Sequence, residues 1–220
     1  MKVGIYLFDE VEVLDFAGPF EVFNTASRLL TRADEATPPP FEVLTLGPGA
    51  APVRARGGLM VTPQHVFSEA PPLDLLIVPG GVVTGELARP GLDDWLMRQS
   101  LQLKALASIC TGAFLLEKAG LLNEREVTTH WEDLEDLRAT SLASGSLLQV
   151  VVHQRWVEAR PWVHNGGRCR LFSSAGISAG IDLSLHLVAE FASVDLARRT
   201  ARQMDYDWRA ANGTVLQTVW

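Results

Sequence analysis

Cysteine and positive charge are both scarce in this chain. Cys110 and Cys169 are the only two cysteines in 220 residues. Two cannot make a disulfide framework, and whether they could pair at all depends on the fold. Lysine and arginine total 19 against 26 acids, a formal net charge of −7 at pH 7. A nucleic-acid partner would want a basic face, so this balance argues against one and speaks first to solubility. No apolar run approaches the length of a membrane span, which argues against a membrane partner. The amino-terminal KVGIYLF is too short for the apolar core of a signal peptide, and Asp9 and Glu10 follow it at once. The expectation is a cytoplasmic protein. His65, His130, His153, His164 and His186 share no metal-ligand spacing, so no metal is implied. Internal repeats and low-complexity tracts are also missing. Length and a hydrophobic content of 47% suffice for a sizeable core, and predict one α/β domain over residues 1–220.

What is present is organised around residues 103–122, LKALASICTGAFLLEKAGLL. Residues 103–109 are short and apolar, as a buried strand requires. From residue 111 the apolar positions Phe114, Leu115, Ala119 and Leu122 follow a helical period. Cys110 stands between the two, with Ser108 and Gly112 two residues to either side. A nucleophile on a sharp strand-to-helix turn needs such small neighbours. A thiol at a helix N-terminus faces unpaired N–H groups that favour an anion, so Cys110 is expected below the ~8.5 of a free thiol. The competing reading is a buried cysteine acting as a small hydrophobe.

Elsewhere, residues 2–8 read as a buried parallel strand. Asp15 lies among Val13, Leu14 and Phe16, just before a helix expected from about Pro19. Half-buried, it could carry a proton at neutral pH; otherwise it is a helix cap or a surface acid. Residues 31–40 predict a loop, 41–46 a second strand, and 53–61 a small hairpin about Gly57-Gly58. A third main strand over 73–78 ends in Pro79-Gly80-Gly81, where glycines let backbone N–H groups approach a ligand, or simply turn the chain. Helices are expected at 90–102, 132–139, 181–192 and 194–204, and a short strand at 126–129. His130 after that strand could partner a thiol or be a solvated loop residue. Residues 147–158 read as one long strand, 161–167 as a connection with an Asn-Gly turn, and 168–172 as the partner strand. In SSAGISAG, Ser174, Gly176 and Gly180 could line a pocket or serve close helix–sheet packing. Arg198, Arg199 and Arg202 read as a solvated face. The tail from residue 207 is ambiguous. Strands alternating with helices predict a doubly wound sheet with its site at the strand carboxyl ends.

Together VLDFAGPFEVF, LLIVPGG, SICTGAFLLEKAGLL, VTTHW and SSAGISAGIDLSLHLVAE resemble the ThiJ/PfpI superfamily, which is class I glutamine amidotransferase-like. The resemblance covers nearly the whole chain and implies a flavodoxin-like α/β fold: a mostly parallel sheet with helices on both faces. Thr111 stands where peptidase-like members have histidine, which disfavours a glyoxalase- or peptidase-like hydrolase. C-T-G, the aspartate of L-D-x-x-G-P and T-T-H-W are similar to isonitrile hydratases and equally to the sensing domains of AraC-type regulators. Those regulators add a C-terminal helix-turn-helix region, and none is expected here. Residues 159–167 depart from the tight turn usual before SAGxSAGID, and the tail is shorter than that of the hydratases.

The resemblance implies Cys110 as nucleophile, Asp15 as its acid/base partner and Thr111 assisting through hydroxyl or N–H. Gly80 and Gly81 would present backbone donors; with His130, Ser174 and Gly176 they would border the substrate. No cofactor is implied. Thiolate attack on the terminal carbon of an isonitrile, with a proton from Asp15, would give a thioimidate, and water would release an N-substituted formamide. The alternative is a non-enzymatic domain that senses oxidant or a small metabolite with the same cysteine. By resemblance the assembly is expected to be a homodimer.

Overall fold

The computed structural model describes residues 1–33, 36, 38–164 and 167–218. In chain order, β1 (Lys2–Tyr6) leads into the long helix α1 (Val13–Ala33), and β2 (Glu42–Gly47) follows. A ribbon of β3 (Val53–Arg54) and β4 (Met60–Val61), then β5 (His65–Val66), precede β6 (Leu75–Val78). Helices α2 (Thr84–Leu87) and α3 (Leu92–Ser100) lead to β7 (Ala105–Ile109) and α4 (Gly112–Lys118). Strands β8 (Glu126–Val127) and β9 (Gln149–Val150) bracket α5 (Leu134–Ser144). The hairpin β10 (Trp156–His164) and β11 (Gly167–Ser174) precedes α6 (Ser178–Phe191) and α7 (Val194–Gln203). A last ribbon pairs β12 (Trp208–Arg209) with β13 (Val215–Gln217).

Among the described residues, seven strands form one sheet in the order β10-β11-β7-β6-β1-β2-β5. Every pairing is parallel except β10 with β11. β6 and β7 are buried along their whole length, as central strands covered on both faces must be. Helices α1, α6 and α7 pack on one another, while α2, α3 and α5 gather around α4. This is the expected flavodoxin-like, doubly wound architecture. From β1 the chain moves out to β2 and β5, then returns to lay β6 on the other side of β1, with β7 and β11 beyond. The strand order therefore reverses between β1 and β6, and the crevice at their carboxyl ends is where such sheets bind ligands.

Several local expectations change. Helix α1 starts at Val13, six residues before Pro19, so Asp15 sits in its first turn and the proline inside it. Local rules place proline at a helix start because it lacks an N–H; here the turn ahead of it is held by contacts of Asp15 described below. The same helix runs to Ala33 through the start of the expected 31–40 loop, of which residues 34, 35 and 37 lie outside the described residues. The helix expected over 90–102 is α3, which begins at Leu92 after a left-handed Gly91 and stops at Ser100, and the four-residue α2 before it was not expected. The single strand expected over 147–158 is interrupted, and His153 takes a positive φ of 60° in the gap. β10 then continues through Pro161 and Trp162, so most of the expected 161–167 connection is strand; its Asn-Gly lies outside the described residues. Pro161 is tolerated because β10 is an edge strand whose register shifts between Ala159 and Trp162. The ambiguous tail becomes the β12–β13 ribbon, with Trp208 buried.

Candidate active site

Cys110 links β7 to α4 with a positive φ of 54°, a region that L-residues occupy only under constraint. Its backbone is clamped on both sides. The Cys110 N–H donates to the Ser174 carbonyl at 3.0 Å, and the Thr129 hydroxyl donates to the Cys110 carbonyl at 2.8 Å. The elbow is therefore held by β11 and by Thr129, two residues past β8, not by the CTG tripeptide alone.

Asp15 is fully buried. The Gly80 N–H donates to its Oδ2 at 3.0 Å and the Ile177 N–H to its Oδ1 at 2.8 Å. Burial pushes its carboxyl up from 3.8 to about 6, against the pull of those two donors. The Cys110 thiol lies within hydrogen-bonding reach of it. Burial, and then the Asp15 charge, push the thiol up to about 12. The expected depressed thiol is thus corrected: α4 is short and the Thr111 N–H favours the thiolate, but desolvation beside a carboxylate outweighs it. Near neutral pH the pair holds one proton, on sulfur, with the carboxylate as its acceptor. Cys169 is also buried and free, and burial alone raises it to about 12.

The glycines make room for this contact. A Cβ on Gly80 would stand 2.5 Å from the Thr111 nitrogen and 2.8 Å from Cys110 Cβ. One on Gly176, at φ 95°, would stand 2.5 Å from Cys110 Cβ and 3.0 Å from its sulfur. The expected free backbone donors are absent: the Gly80 N–H serves Asp15, and the Gly81 N–H donates to Thr111 Oγ1 at 2.9 Å. The Thr111 hydroxyl in turn donates to the Gly81 carbonyl at 2.8 Å, with the cysteine sulfur a second acceptor in reach. Ser174 is fully buried behind the elbow, where its Oγ accepts the Gly176 N–H at 3.2 Å.

Cys110, Thr111, Gly81 and His130 line one cavity of about 360 Å³, together with Glu12, Arg56, Glu132, Asp133 and Ile177. His130 Nδ1 lies 3.5 Å from Asp133 and 3.7 Å from Glu132. Arg56 pairs with Glu12 at 3.3 Å. Asp133 is raised by its partial burial. A small molecule entering here meets a thiol backed by a proton acceptor, which is the arrangement for nucleophilic addition with proton transfer. Among the described residues no three His, Cys, Asp or Glu converge as metal ligands, and no helix is long and apolar enough to cross a membrane.

Of the residues that sequence reasoning singled out, Cys110, Thr111, Gly81 and His130 line the cavity, Asp15 lies buried against the thiol, and Gly80, Ser174 and Gly176, expected to border the substrate, are instead buried supports of the elbow. That reasoning missed Ile177, a β-branched residue at φ 50° whose N–H holds Asp15. Its place between two SAG triplets was the available signal, since glycine-rich turns orient N–H groups. It also missed Thr129, beside His130 in the TTHW motif, and Arg56 and Glu12, for which no local signal exists.

Residues 1–190 match the DJ-1/PfpI family. Isonitrile hydratase of Pseudomonas putida is 32% identical over 207 residues, spanning 94% of this chain and 78% of that protein. The HTH-type transcriptional regulator GbdR of Pseudomonas aeruginosa is 26% identical over 208 residues, 94% of this chain but 51% of the regulator. The crystal structure of a ThiJ/PfpI family protein from Pseudomonas syringae superposes with a TM-score of 0.74 at 21% identity, covering 95% of this chain and 76% of that one.

Proposed function

The chain belongs to the DJ-1/PfpI family, and from that premise we propose that it is a cofactorless cysteine enzyme that adds water to a small isonitrile. The observation carrying this reading is the Cys110–Asp15 pair: a buried thiol with one proton, a carboxylate of pKa about 6 to receive it, and a cavity in front. The similarity to an isonitrile hydratase over 94% of the chain supports the choice of substrate class.

The sulfur forms a bond to the terminal carbon of R–N≡C as its proton passes to Asp15 and on to that same carbon, giving R–N=CH–S–Cys110. The carbon now has an electrophilic C=N bond. Water adds to it, the nitrogen gains one proton, and a tetrahedral R–NH–CH(OH)–S–Cys110 forms. The C–S bond then breaks, the hydroxyl proton returns to sulfur through Asp15, and R–NH–CHO leaves. The sum is isonitrile plus water to N-substituted formamide, with no redox change. The Thr111 N–H faces the sulfur and supports the developing thiolate.

A second reading, a sensing domain, is favoured by the match to a transcriptional regulator over the same span of this chain. Turnover of methyl isonitrile by the native protein, absent in Cys110→Ala, supports the enzyme. No turnover by the native protein, with a small metabolite or an oxidant captured at Cys110, supports the sensor.

A further inference from the structure

A groove of about 590 Å³ runs beside the thiol cavity, walled by Val83, Leu87, Phe114 and Ala139. The two spaces meet at Gly81, Thr111 and Asp133, which line both. We propose that this groove is the subsite for the substituent R of the isonitrile, and that it selects neutral apolar substituents over carboxylate-bearing ones. The proposal rests on the hydratase reading above and names its substrate class.

The argument begins with the shape of the substrate. An isonitrile is linear through C, N and the first atom of R, so a carbon placed at the sulfur points its substituent straight away from it. The thiol cavity is small and its walls are mostly polar or charged. The groove continues it past Thr111, the residue next to the nucleophile, and supplies aliphatic and aromatic side chains for R to bury. Charge adds a second selection. Asp133 and Asp136 line the groove, and among the described lining residues there is no basic side chain. The single arginine of the neighbouring cavity, Arg56, is paired with Glu12. A carboxylate on R would meet two acids and no counter-charge.

The test compares kcat/KM for methyl isonitrile, benzyl isonitrile and isocyanoacetate in the native protein, Ala139→Trp and Asp136→Lys. Ala139 and Asp136 are exposed on α5 and line the groove but not the thiol cavity. Native protein should prefer the benzyl substrate to the methyl one by roughly tenfold or more, the scale of filling an apolar subsite. Ala139→Trp should lower benzyl isonitrile far more than methyl isonitrile and so remove that preference. Asp136→Lys should raise isocyanoacetate relative to benzyl isonitrile by roughly fivefold, modest because the groove is open to solvent. Equal effects of Ala139→Trp on both neutral substrates, or none on either, overturn the assignment. If the native protein hydrates no isonitrile, the hydratase reading falls and the groove is judged by alkylation of Cys110, located by mass spectrometry. N-benzyl iodoacetamide slowed by Ala139→Trp, with iodoacetamide unaffected, still assigns the groove as a substituent subsite; equal rates for both reagents overturn it.

Discussion

Asp15 is the residue on which the chemistry turns. Its folded pKa of about 6 lies above the ordinary 3.8. The folded state therefore binds more protons than the unfolded one between those values, and stability falls as pH rises through that window. Activity runs the other way, because only the ionised carboxylate can take the thiol proton: kcat/KM for an isonitrile should rise with pH through about 6 and then level. A profile flat across that range removes Asp15 as the base. Asp15→Asn should cut turnover by roughly 10²-fold or more. It should also destabilise, by about 1–3 kcal/mol, since both carboxylate oxygens accept backbone N–H groups and an amide turns its own NH₂ toward one of them. Turnover within about threefold of native in this variant excludes a general acid–base role, which is worth far more.

At the scale of elements, the turn between β11 and α6 does most to shape the site. Ser174 closes behind the elbow, Gly176 vacates the space the thiol fills, and Ile177 takes a backbone conformation disfavoured for a branched side chain in order to aim its N–H at Asp15. Gly176→Ala adds a methyl group against Cys110 Cβ at a φ of 95°. It should lower stability by about 1–3 kcal/mol and abolish turnover even where the protein remains folded, measured by thermal unfolding and by isonitrile hydration. A variant as stable and as active as native means that this turn does not set the geometry.

On the scale of the whole molecule, the tail is fastened through Asp182. This fully buried carboxylate accepts Arg155 Nε at 2.5 Å, the Tyr206 hydroxyl at 3.2 Å and the Arg209 N–H at 2.8 Å. Trp208 packs beside it and donates to its carbonyl at 3.3 Å. Asp182→Ala should cost about 2–4 kcal/mol, less than breaking a fully buried pair because the Arg155 side chain keeps 27% exposure. Trp208 should then show faster indole quenching than native; unchanged quenching and stability mean the tail is held by its apolar contacts. For assembly we propose a homodimer, and a monomer mass by light scattering at micromolar concentration counts against it.

Sequence alone determined the sheet class and the elbow, because both are local. The strand-helix alternation and the small residues around Cys110 are written in consecutive positions, and each has a direct steric cause. Asp15 could be singled out for the same reason, as an acid in an apolar run. What only the tertiary structure decided is how these groups are charged and held. The thiol was expected low on account of its helix end and is high, since burial and the neighbouring Asp15 charge are properties of distant segments brought together. The start of α1 before Pro19, the strand carried through Pro161 and the donor from Ile177 have the same origin. Asp15 and Ile177 are joined by a hydrogen bond between residues far apart in the chain, and β10 is carried through Pro161 by its pairing with β11 at the sheet edge, gains that no short window of sequence shows.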